Sequence, residues 1–94
     1  MRFGNQMVLG WEGNPRSGGA KFHTVQIQIS HGQWKTIPVK ELMNGNLFKV
    51  FDADTGKLVK DLNGFVVFKA LSTPEMAPPS FWVVRYTGVE KEGA

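Results

Sequence analysis

The chain contains no cysteine, so a disulfide framework, a thiol nucleophile and a thiolate metal site are all excluded, and its 94 residues must reach stability through a single unaided core. Long apolar runs are also missing. No segment approaches the roughly 18–20 apolar residues of a membrane span, and Met1-Arg2-Phe3-Gly4-Asn5-Gln6 lacks the apolar stretch of a signal peptide, which predicts a cytoplasmic protein. Histidine is scarce. His23 and His31 are the only candidates for acid–base or metal chemistry near neutral pH, with no obvious third partner for a metal or a proton relay, so no enzyme, metal site or cofactor is expected. No apolar pattern of helical period extends beyond one turn, and internal repeats and low-complexity segments are not evident.

What is present is β-strand patterning. Val25-Gln26-Ile27-Gln28-Ile29 alternates apolar and amide residues, the signature of a strand with one buried and one wet face. Ser30-His31-Gly32-Gln33 reads as a tight turn, and Trp34 to Ile37 as the returning strand. Pro38 sets φ for a single helical turn over Val39–Met43, ended by Asn44-Gly45. Leu47–Phe51 and a shorter Leu58–Leu62 are predicted strands joined by a turn over 52–57. Asn63-Gly64 then signals a type I′ hairpin turn into Phe65–Ala70. Ser72-Thr73-Pro74 and Ala77-Pro78-Pro79 make 71–79 a stiff loop before a last strand, Phe81–Tyr86. At the other end Gln6–Trp11 is a predicted strand, followed by a flexible Gly-rich loop over 12–20, and the tail 88–94 is expected to fray. The sum is one all-β domain over 1–94. A small barrel, SH3-like or OB-like, of five to seven short strands with at most one helical turn is expected, because an open sheet with apolar residues on both faces would aggregate.

The last strand places Trp82, Val84 and Tyr86 on one face and Phe81, Val83 and Arg85 on the other. Both faces carry bulk. Phe65, Val67 and Lys69 repeat the pattern, as do Leu47, Lys49 and Phe51. With Trp82, Val84 and Tyr86 read as core, the second face is open to three readings. It is a protein-docking surface, a platform for nucleic-acid bases with cations tracking phosphates, or a surface covered by the terminal segments and the 71–79 loop while lysines reach past it to water. Phe81, Val83, Arg85, Phe65 and Lys69 are the first candidates for contact residues, with Trp34 and Arg16 second.

Charge narrows this only slightly. Eleven basic and eight acidic side chains give +3, concentrated in residues 1–69, which hold nine basic and five acidic groups. That balance mildly favours anionic partners and is no nucleic-acid signature by itself. Gly10, Gly13, Gly18, Gly19 and Lys21 superficially suggest a phosphate loop, but the Lys-Ser/Thr ending and the following helix are missing. Asp52-Ala53-Asp54-Thr55-Gly56 opens like a calcium loop, yet its glycine falls one position early, and a turn between strands explains the residues.

The runs Pro38-Val39-Lys40-Glu41-Leu42-Met43-Asn44-Gly45-Asn46-Leu47-Phe48-Lys49-Val50-Phe51-Asp52 and Gly64-Phe65-Val66-Val67-Phe68-Lys69-Ala70-Leu71-Ser72-Thr73-Pro74 resemble small β-barrel proteins of tailed bacteriophages and related mobile elements. There a short turn ending in Gly feeds a strand, and a Val-Phe-x-Ala strand leads into a Pro-containing loop. The resemblance covers about a third of the chain and carries over no functional residue. It implies a virion component or an accessory factor that binds host machinery, in the host cytoplasm or the virion. The expected function is therefore non-catalytic protein binding, with single-stranded nucleic-acid binding by an OB-like barrel, or self-assembly into oligomers, as the alternatives.

Overall fold

The computed structural model describes residues 5–13, 20–78 and 80–92. Arg16, most of the Gly-rich loop and residues 93–94 of the tail lie outside them. The described chain is almost entirely β, with strands β1 (Asn5–Trp11), β2 (Lys21–Phe22), β3 (Thr24–Ser30), β4 (Gln33–Ile37), β5 (Leu47–Phe51), β6 (Phe65–Ala70), β7 (Glu75–Ala77) and β8 (Phe81–Lys91). A 3-10 turn, Val39–Glu41, is the helical turn expected after Pro38. Eight strands exceed the expected five to seven because β2 and β7 are short pairings of two and three residues.

All pairings are antiparallel, and the hydrogen-bonded path runs β2-β1-β8-β6-β5-β3-β4, with β7 beside β8. The path is open at β2 and β4. Yet β2 and β3 are separated by His23 alone, whose N–H donates to the Leu9 carbonyl at 2.9 Å. Residues 21–30 thus form one bent ribbon that pairs with β1 at its start and with β5 and β4 further on.

The inner side follows the pleat. Met7 and Leu9 from β1, Val25, Ile37, Phe48 with Val50, Phe68 with Ala70, and Val84 with Tyr86 form one buried cluster. Phe48 and Phe68 tilt against each other at 5.5 Å between ring centroids, and Tyr86 meets Phe68 edge-on at 5.0 Å, geometries worth about 0.5–1.5 kcal/mol each beyond burial. Trp82 packs against this cluster, so Trp82, Val84 and Tyr86 share the inner side. The expected alternation fails at Ile29, which is 58% exposed, because the β3–β4 register shifts between Gln28 and Ser30.

Four further expectations are corrected. Leu58–Leu62 is not a strand: apart from one bridge, Phe51 to Leu58, the segment is held by Asp61, whose Oδ1 accepts the N–H groups of Asn63 and Phe65, each at 2.9 Å. Asn63 stays at negative φ and Gly64 alone is left-handed at +89°, so the turn is an Asx turn, not type I′. The loop 71–79 contains β7, which continues the line of β6 along the same edge of β8. Finally, the last strand does not end at Tyr86 or fray from 88, but pairs with β6 as far as Lys91 opposite Phe65.

Two glycines permit close approaches. A Cβ at Gly10 would overlap the Phe22 ring, and one at Gly88 would overlap the Phe65 ring. Each ring covers a bare stretch of backbone, the arrangement by which aromatic side chains compensate for glycine in a sheet.

Candidate functional site

The outer side of the sheet around β8 carries part of the apolar surface that the core does not absorb. In register, Val8 of β1 lies opposite Val83, which also lies opposite Glu75 of β7; Trp11 lies opposite Phe81, itself opposite Ala77. Directly opposed residues share a face. Val8 is 48% exposed and Phe81 38%, so this stripe meets water. Arg85, exposed, continues the face opposite Gln6, and Lys69 joins it through its partner Thr87. Phe81, Val83, Arg85 and Lys69 are therefore brought onto one side.

Phe65 is not. The β6–β8 register shifts between Phe65 and Val67 and again between Val67 and Phe68, which breaks the alternation expected for Phe65, Val67 and Lys69. Val67 is buried, and Phe65 packs against the core over Gly88 with the Lys91 ammonium 5.2 Å from its ring centroid. Trp34 sits on β4, at the far end of the strand path, with the Lys49 ammonium 4.3 Å from its ring centroid. Arg16 lies outside the described residues. Val8 and Trp11 were missed from sequence, since only the β1–β8 register assigns them to this stripe.

Near the Trp11–Phe81 end, an apolar cleft of about 440 Å³ opens where β4 diverges from the bent ribbon, between Phe22 and His23 on one wall and Ile37, Pro38, Val39 and Lys40 on the other. Lys40 Nζ lies 2.8 Å from Glu12 Oε1 and 4.8 Å from the Trp82 ring centroid. The Lys40 hydrogen bond, with a smaller contribution from the Trp82 indole, holds the Glu12 carboxyl below the usual carboxylate range. Trp82 Nε1 is buried near Glu12, and no acceptor among the described residues completes a well-formed hydrogen bond to it. His23 Nδ1 accepts the Ala53 N–H at 3.0 Å, which puts the ring proton of the neutral imidazole on Nε2. His31 stands apart at the β3–β4 turn.

A second, more polar hollow of about 330 Å³ lies between Asn5–Met7 and residues 59–63. At its base Tyr86 donates its hydroxyl to Asp61 Oδ2 at 3.0 Å. Burial first, and then the Asp61 carboxylate, pushes the Tyr86 hydroxyl up to about 12. Asp61 thereby ties the 58–64 segment to β8. In the turn over 52–57, Asp52 Oδ1 accepts the N–H groups of Asp54 at 2.8 Å and Thr55 at 3.0 Å; the Thr55 bond, followed by that of Asp54, lowers the Asp52 carboxyl. This carboxylate serves a turn. No group of three or more His, Asp or Glu that could hold a metal occurs among the described residues.

No protein-family model, curated protein or solved structure matches the chain. No helix among the described residues is long and apolar enough to cross a membrane.

Proposed function

We propose that the protein is a non-catalytic, barrel-like binding module that docks a protein partner on the outer side of β1, β7 and β8. The observation that carries this reading is the in-register stripe of Val8, Val83, Trp11 and Phe81, in which Val8 and Phe81 are exposed and Val83 and Trp11 half-buried. Contiguous exposed apolar area marks interaction surfaces, and buried aromatic and arginine anchors dominate the energy of such contacts. Arg85 makes no ion pair among the described residues, whereas Glu75 lies on the same face beside Val83. A partner with an apolar centre, an acidic group toward Arg85 and a basic one toward Glu75 meets both charges, which fixes its orientation. The occupied Nδ1 of His23 and the isolation of His31 support the non-catalytic reading. The phage or mobile-element setting belongs to the same proposal and rests on the resemblance of residues 38–52 and 64–74 alone.

Single substitutions Phe81→Ala and Arg85→Glu are expected to abolish capture of a partner that the unaltered protein retains, with unchanged thermal melting. Retained capture by both variants sinks the reading. Light scattering after size exclusion distinguishes a foreign partner from a second copy: an oligomer that Phe81→Ala dissolves identifies self-assembly instead.

A further inference from the structure

The outer side of β3 to β6 differs in chemistry from the apolar stripe. On this side they present Lys49 and Lys69, and none of the four strands contains aspartate or glutamate. Among the described residues neither lysine is ion-paired, whereas Lys21, Lys40 and Lys60 each are. Register places Gln28 opposite Trp34, Gln26 opposite both Thr36 and Lys49, and Leu47 opposite Lys69, all on one face. From Trp34 on β4 to Lys69 on β6 the face crosses three strand spacings, roughly 14–15 Å. It thus offers an indole with an ammonium against its ring, two amide side chains that each donate and accept, and a second ammonium beyond them.

We propose that this face binds a short stretch of single-stranded nucleic acid, with a base stacked on Trp34, phosphates beside Lys49 and Lys69, and base edges read by Gln26 and Gln28. The proposal goes beyond the protein-docking reading and uses none of Val8, Trp11, Phe81 and Val83; Lys69 borders both surfaces. An unpaired base presents both a π-face for the indole and an edge of donors and acceptors for the amides. An acidic peptide would satisfy the lysines but leave the indole and amides without matched partners. A duplex hides its base faces, so stacking on Trp34 requires a single strand.

Fluorescence anisotropy tests this with labelled single-stranded DNA and RNA of mixed sequence, the matching duplex, heparin and polyglutamate, at low salt and along a salt titration. Two phosphate contacts predict a log–log slope in salt of about −1.4, flattened by about 0.7 in Lys49→Ala and again in Lys69→Ala. Trp34→Ala is expected to weaken single-strand binding about fivefold or more with little change of slope, and Phe81→Ala to leave it unchanged. Should Trp34→Ala melt early, the exposed Lys69→Glu carries the test, with a loss of binding expected. The proposal is overturned by no binding of either single strand at low salt, by duplex, heparin or polyglutamate binding as tightly as single strands, or by a folded Trp34→Ala that binds normally. Because Phe81→Ala and Trp34→Ala act on different surfaces, either reading can fail alone.

Discussion

Substituting Ser72 by alanine tests how β8 is held where β6 and β7 are interrupted. Both strands pair with the same edge of β8, but residues 71–74 swing out between them, and Arg85 faces that gap. Its carbonyl accepts the Leu71 N–H at 2.8 Å, and its own N–H donates to Ser72 Oγ at 3.1 Å. Ser72 is buried at 8% exposure, so water has little access to replace the hydroxyl. Ser72→Ala leaves a backbone donor without its acceptor, which costs about 1–3 kcal/mol depending on how far water enters. In a domain of this size each kcal/mol lowers Tm by roughly 4–8 °C. Thermal or urea unfolding measures the total. Hydrogen exchange locates it, because the Arg85 amide should lose protection beyond the global decrease. Ser72→Thr, which keeps the oxygen, should retain most of the protection. An Arg85 amide as protected in Ser72→Ala as in the parent would refute the assignment, whatever happened to Tm.

Three other outcomes are expected. Gly88→Ala should destabilise by about 1–3 kcal/mol because its Cβ overlaps the Phe65 ring; combining it with Phe65→Leu should cost less than the two single changes together, as a double-mutant cycle in denaturant would show. Phe48→Ala, at a fully buried position between β3 and β6, should cost about 3–5 kcal/mol in urea titrations, and a loss under 1 kcal/mol would contradict its place in the core. Tyr86 has its folded pKa raised from 10.0 to about 12, so its neutral form is favoured by folding. That contribution is fully present below pH 10 and is lost as pH rises from 10 through 12, and the difference between parent and Tyr86→Phe stability should shrink across that window.

The all-β class was legible because alternation in Val25–Ile29 and the turn at Gly32 depend only on local sequence. The second half was less so, for specific reasons. Leu58–Leu62 carries a strand-like composition, yet Asp61 satisfies two backbone N–H groups and the Tyr86 hydroxyl, which favours an Asx turn over a ladder. Gly88 reads as a strand end, whereas its missing Cβ is what lets Phe65 cover β8. The candidate stripe was half visible. Phe81, Val83 and Arg85 share a face by the two-residue period alone, but pairing them with Val8 and Trp11 required a register between strands at opposite ends of the chain. Phe65 was assigned to the wrong side because bulges leave no mark in the residue pattern.

The pairing of β1 with β8 also dictates when the molecule can form. Asn5 meets Tyr86, so almost the whole described chain is enclosed between the two partners. Such a contact carries a large loop-closure cost and belongs to the slow, non-local class of folding steps. During synthesis β1 emerges well before β8 and waits. Until Phe81–Lys91 leaves the ribosome, β1, β6 and β7 all present open edges, and the stripe residue Val8 lies on one of them. β8 is therefore the strand that seals these edges, and a chain released before β8 is complete would expose three strands at once to association.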